Sequence, residues 1–184
     1  MRAARVLGIT GWSGSGKTVL ITRLIPVLRA RGLTLATVKH AHHAFDTDLP
    51  GKDSYEHRRA GAHEVIVSSA RRWAQVHELG DEPEATLAQL LRRLCACDLI
   101  LVEGFKGERH PKLEVFRAAL GQPPLCASLA RVVAVASDAP VPGARVPVVK
   151  LNDTLAIADL VQAHAQPLEA VLADLEAAAA PGEG

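Results

Sequence analysis

Residues 11–18 read Gly-Trp-Ser-Gly-Ser-Gly-Lys-Thr, and each residue type in that spacing has a task in holding phosphate. Glycines let the backbone curl so that successive amide N–H groups face inward as an anion-binding nest. A helix beginning near Lys17 adds its positive dipole end, the Lys17 ammonium meets the outer phosphates, and the Thr18 hydroxyl is a ligand for Mg²⁺. The expected phosphate site is therefore Gly11, Trp12, Ser13, Gly14, Ser15, Gly16, Lys17 and Thr18, with Lys17 also in a catalytic role. Trp12 either shields the phosphates or packs.

Two further carboxylates stand where such a site needs them. Leu99-Ile100-Leu101-Val102 is a fully apolar run that ends in Glu103, and Val132-Val133-Ala134-Val135-Ala136 ends in Ser137-Asp138. An acid delivered to the carboxyl end of a buried strand reaches the Mg²⁺ shell or its water. Glu103 takes that catalytic and metal-side role, with pairing to Lys106 or Arg109 as the structural alternative. Asp138 is a candidate reader of guanine, whose N1–H and N2 amino group a carboxylate accepts together. It equally well starts a turn before Pro140. Residues 40–53 hold His40, His42, His43, Asp46 and Asp48, which suits zinc, a Mg²⁺–phosphate contact or a solvated loop.

These residues need a scaffold, and the hydrophobic pattern supplies one. Val6 to Thr10 reads as a strand, Val19 to Ala30 as a helix stopped by Gly32, and Thr34 to Val38 as a second buried strand, so the first pair is parallel with a right-handed crossover. Asp53 to Ala62 fits a short helix. Val65-Ile66-Val67 and Ala74 to His77 fit a hairpin inserted into the sheet. Pro83 to Cys95 carries Leu87, Leu90, Leu91 and Leu94 on one face of a helix. Leu113 to Phe116 reads as an edge strand and Pro147 to Val149 as one more, with helices over 153–164 and 168–180 and a frayed end over 181–184. The fold class is α/β: a P-loop NTPase-like three-layer fold, mostly parallel, with an inserted β-hairpin.

The chain has 184 residues, 48% of them hydrophobic, enough for one core and one domain spanning 1–184. A formal charge of +1 gives no overall pull towards nucleic acid or an anionic membrane, so phosphate binding must be local. Cys95, Cys97 and Cys126 lack metal-ligand spacing and are expected to be small buried thiols. With no apolar run long enough to span a membrane and no signal-peptide core after Met1, the expected location is cytoplasmic.

The chain resembles the MobB family of molybdopterin-guanine dinucleotide biosynthesis adapter proteins. Besides Gly11 to Thr18, the resemblance rests on Lys39-His40-Ala41-His42-His43-Ala44-Phe45-Asp46-Thr47-Asp48, on Pro50 to Ser54, on His57 to Ala62 and on Leu101-Val102-Glu103-Gly104-Phe105-Lys106. It continues through Arg71 to Ala74, Pro111 to Val115 and Leu151-Asn152-Asp153, covering most of residues 5–155. It implies GTP and Mg²⁺ as cofactors, weak GTPase activity, and assistance to the molybdenum cofactor guanylyltransferase, a MobA-type enzyme, with direct contact to molybdopterin left open. It also implies a homodimer formed partly through the inserted strands. Asp46, Asp48 and Asp53 would then lie in the segment facing the nucleotide and its metal.

Two other functions use the same residues. A small-molecule kinase would share the phosphate loop and grip a substrate hydroxyl with the His/Asp segment, yet the sequence after Arg145 has no arginine to form a lid. A binding module would use nucleotide only to stabilise its dimer or present a docking face. No Gln or arginine finger for a GTPase is identifiable in the sequence, though Arg58 or Arg59 from the helix after the loop could serve by swinging inward.

Overall fold

The computed structural model describes residues 3–41, 46 and 48–179; His42, His43 and the 180–184 end lie outside them. In chain order the elements are β1 (Arg5–Thr10), α1 (Lys17–Ala30), β2 (Leu35–Lys39), α2 (Asp53–Arg59), β3 (Glu64–Ser68), β4 (Trp73–His77), α3 (Leu87–Arg92) and β5 (Leu99–Glu103). There follow β6 (Lys112–Phe116), β7 (Val132–Ser137), β8 (Val148–Lys150), α4 (Thr154–His164), β9 (Gln166–Pro167) and α5 (Leu168–Ala179). They form two compact units, residues 41–86 being one and the remainder the other.

In the larger unit the strands run parallel in the order β2-β5-β1-β6-β7-β8, and the two-residue β9 lies antiparallel on β1. Alternate strand residues face opposite sides. Leu7, Ile9, Leu99, Leu101, Leu113 and Val115 pack with Leu20, Leu24 and Leu28 of α1 and Ile157 and Val161 of α4. On the other side Val6, Val38, Ile100 and Val102 meet Leu87 and Leu91 of α3 and Val171, Leu172 and Leu175 of α5. The result is the expected three layers. Burying each such side chain fully contributes about 1.5–3 kcal/mol, and the helix that carries Lys17 and Thr18 is anchored by three of them.

The chain leaves β1 towards β2 on one side and passes from β5 to β6 on the other, so β1 is the point where the order reverses. Ligand crevices in such sheets open at the carboxyl ends beside that point. Register brings Lys39 and Ile9 level with Glu103, and Thr10 level with Glu114.

The smaller unit holds α2 and the antiparallel hairpin of β3 and β4, in register from Glu64↔His77 to Ser68↔Trp73. Among the described residues the hairpin is a sheet of its own and is not hydrogen-bonded to the strands of the parallel sheet.

Three expectations are corrected. The 83–95 helix shrinks to Leu87–Arg92, because Arg93 and Leu94 bond back to Leu90 and Leu91 in the tighter three-residue pattern that closes a helix. Cys95 is consequently exposed on the following turn rather than buried, and all three cysteines are free thiols. The strand at Leu113 is central, between β1 and β7. Its charged residues disguised it: Lys112 and Glu114 are fully buried, Lys112 donating to the Glu108 and His110 carbonyls and Glu114 accepting from the amides of Leu125 and Cys126.

Candidate functional site

The loop after β1 turns through three glycines with positive φ, Gly11 at 147°, Gly14 at 76° and Gly16 at 95°. At Gly11 a Cβ would stand 2.5 Å from the Val115 carbonyl oxygen and 2.6 Å from Ser15 Oγ, so backbone and neighbours both require glycine. Gly16 is the N-cap of α1, has no side-chain cap, and no acid occupies the first turn. The amides at this helix end are left for an external anion. Ser15 is buried and its Oγ has no hydrogen-bond partner, an orphaned group lying within the loop that a bound oxygen would satisfy.

Lys17 folds over this loop, its ammonium donating to the carbonyls of Gly11 (3.1 Å) and Trp12 (3.0 Å). Burial lowers its pKa, Glu103 opposes that shift, and Lys106 and Lys39 add to it. Lys39, Lys106 and Glu103 thus all act on the Lys17 ammonium, three cations to one carboxylate, a local positive field in a chain of nearly neutral overall charge.

Thr18 Oγ1 donates to Glu103 Oε1 at 2.6 Å. Lys39 Nζ stands 3.5 Å from the same oxygen and 3.4 Å from Thr18 Oγ1. The structural partner of Glu103 is therefore Lys39, not Lys106 or Arg109. After Glu103, Gly104 (φ 92°) and Phe105 (φ 49°) both adopt left-handed backbone, and a Cβ on Gly104 would press on His40 at 3.0 Å. Strain of this kind at a non-glycine residue costs on the order of 1–3 kcal/mol and collects at functional positions. The turn carries Lys106 back over the Trp12 ring, 4.0 Å from its centroid, while Trp12 Nε1 donates to the Pro123 carbonyl at 2.8 Å. Trp12 packs as a platform for a cation.

Arg117, one residue beyond β6, was not foreseen. Its Nε donates to the Ser15 carbonyl at 2.8 Å, and its guanidinium lies 3.4 Å from where a Gly16 Cβ would be. Asp138, expected to read the base, holds this arginine at 3.4 Å and accepts from the Ala118 amide at 3.1 Å. Arg58, by contrast, is tied within the smaller unit to Asp46 (2.7 Å) and Glu78 (2.8 Å). In the same unit Asp48 accepts from the Leu49 amide and Asp53 is the exposed first residue of α2.

Residues 6–138 match the sequence model of the family described as molybdopterin guanine dinucleotide synthesis protein B, MobB. The chain belongs to the MobB family. The Escherichia coli molybdopterin-guanine dinucleotide biosynthesis adapter protein is 46% identical over 159 residues, 85% of this chain and 90% of that protein. A crystal structure of molybdopterin-guanine biosynthesis protein B superposes with a TM-score of 0.68 at 29% identity, covering 86% of this chain and 98% of the other. The Bacillus subtilis MobB structure gives the same score at 25% identity, over 88% and 98% of the two chains. Membership of the MobB family, its α/β fold and the parallel sheet with its hairpin all agree with the sequence reading.

Proposed function

We propose that this chain is a GTP-binding adapter with weak GTPase activity, acting with Mg²⁺, that assists the guanylyltransferase, a MobA-type enzyme, in attaching GMP to molybdopterin. The observation that carries the reading is the meeting of Thr18, Glu103 and Lys17 at the uncapped start of α1. The relatives' names supply the pathway.

The residues present suit a nucleotide and its metal: an open amide nest, an orphaned Ser15 hydroxyl, and a threonine already in contact with a carboxylate. Thr18 and Glu103 would hold Mg²⁺, which when bound neutralises charge across the outer phosphates. Lys17 exchanges its two carbonyl acceptors for phosphate oxygens. In the alternative role Glu103, released from Thr18, accepts a hydrogen bond from a water and orients it instead of supporting the metal. Arg117 adds a positive charge beside Gly16, and Asp138 keeps that guanidinium in place or reads the guanine edge.

The domain that binds nucleotide is the chain as a whole, acting in the cytoplasm as a homodimer. Support for dimerisation comes from Ile66, Val67 and Trp73 of the hairpin, exposed at 62%, 47% and 61%, a concentration of apolar surface that suits burial against a second copy.

A switch differs from a passive module in that partner binding depends on the γ-phosphate. Affinity for the guanylyltransferase measured with GDP and with a non-hydrolysable GTP analogue separates them. Tighter binding in one state is expected; equal affinities would remove the switch.

A further inference from the structure

The smaller unit holds a second group of chemically competent side chains that the nucleotide reading does not use. His63 directly precedes β3, His77 ends β4, and Glu82 lies in the turn that follows. The hairpin register places His77 opposite Glu64, and the Glu78 amide donates to the His63 carbonyl at 2.9 Å, so the two imidazoles flank one end of the ladder. The Glu82 amide donates to the Leu79 carbonyl at 2.7 Å, a turn that brings the Glu82 carboxylate back to both rings. Their sequence spacing gave no hint of this. The hairpin brings them together.

We propose that His63, His77 and Glu82 bind one divalent transition-metal ion of the borderline class that Zn²⁺ represents. The three ligand atoms lie within 4.8 Å of one another. Glu82 straddles the pair, one oxygen 3.1 Å from His63 Nε2 and the other 3.4 Å from His77 Nε2. A tetrahedral ion with bonds of about 2.0–2.1 Å places its ligand atoms about 3.4 Å apart, the spacing that both carboxylate–imidazole contacts already have. The rings meet edge to face at 71° with centroids 4.5 Å apart, and the Nε2 atoms of both lie close to the one Glu82 carboxylate.

The outer contact is the second argument. His77 Nδ1 lies 3.3 Å from Glu64 Oε1, the carboxylate–imidazole arrangement that fixes which nitrogen keeps its proton and turns the other towards a metal. Simple ion pairing is the weaker account. Exposed pairs of this kind contribute little. Two imidazoles with one carboxylate, leaving a fourth position open to water, favour Zn²⁺, Ni²⁺ or Cu²⁺ over the hard ion Mg²⁺.

The test is Zn²⁺ binding to the full chain, without nucleotide and with millimolar Mg²⁺ present, by competition with a chromophoric chelator. One Zn²⁺ per chain is expected, weakened at least about 100-fold in His63→Ala and in His77→Ala and about tenfold in Glu82→Gln. The His42→Ala/His43→Ala variant should retain it. Circular dichroism establishes that each variant is folded, and ring resonances of two histidines should shift on addition of Zn²⁺. Absence of stoichiometric binding in the unmodified chain, or its loss in the His42/His43 variant with retention in the His63 and His77 variants, overturns the assignment.

Discussion

Thr18 Oγ1 and Glu103 Oε1 meet at 2.6 Å, joining the first turn of α1 to the carboxyl end of β5. The pairing ties the Thr18 hydroxyl to the acid, and the Lys39 ammonium stands 3.5 Å from the same carboxylate oxygen. Replacing Glu103 by Gln keeps the shape and removes the charge. Mg²⁺-dependent GTP hydrolysis should fall about 10- to 100-fold, while GTP binding measured without Mg²⁺ stays within about threefold. Phosphate release against a Mg²⁺ titration separates the two effects, and an undiminished hydrolysis rate would remove Glu103 from the site.

Gly11→Ala tests the loop itself. The new methyl would stand 2.5 Å from the Val115 carbonyl oxygen at a φ of 147°, so either β6 or the loop must move. Stability should drop by about 1–3 kcal/mol, read as a lower midpoint in urea, and nucleotide binding should be lost even where the variant is still folded. Gly32→Ala, with nothing within 4 Å of the added carbon, is the control that carries backbone strain without a clash, and it should bind GTP normally.

Asp138 has two roles to choose between. Contact with Arg117 and the Ala118 amide makes it a clamp on the arginine beside Gly16; contact with a guanine edge makes it a selector. Asp138→Asn should lower GTP and ATP affinity by a similar factor in the first case and erase only the preference for GTP in the second. Competition binding with both nucleotides decides. An Arg117→Ala variant should mimic Asp138→Asn only if the clamp is the role.

Acid stability should report on His110, a fully buried imidazole just before β6. Burial, helped by the neighbouring Lys112 charge, pushes its pKa from 6.5 to about 3. The unfolded chain takes up this proton as pH falls through 6.5 and the folded chain only near 3, so the stability it confers is full above 6.5 and is lost progressively between 6.5 and about 3. His110→Leu should flatten the pH dependence of the urea midpoint across that window. An unchanged slope would place the acid sensitivity elsewhere.

How much of this the sequence revealed follows from how local each feature is. The glycine-rich loop is eight contiguous residues shaped by its own backbone, so the spacing of Gly11, Gly16, Lys17 and Thr18 marks its position and the start of α1 without any tertiary information. Glu103 was legible because an apolar run aims it. Arg117 and Lys39 were not, since they enter from β6 and β2, strands that reach β1 and Glu103 only through the order β2-β5-β1-β6. The central place of β6 was hidden by Lys112 and Glu114, charges buried because backbone groups satisfy them. The strands β1, β5 and β7 and the helices α1, α4 and α5 match their apolar pattern; β2, expected to be largely buried, is a partly exposed edge strand beside β5. The length of α3 was not, because the Leu90 and Leu94 pattern continues past the point where hydrogen bonding tightens and stops the helix.

The central claim is that the Lys17 loop holds GTP. The most direct measurement is isothermal titration of the full chain with GTP and with ATP in the presence of Mg²⁺, alongside Lys17→Ala. The account predicts a preference for GTP and at least a tenfold loss in the variant, about 1.4 kcal/mol. Equal or tighter binding of ATP, or GTP binding that survives loss of the Lys17 ammonium, would contradict it.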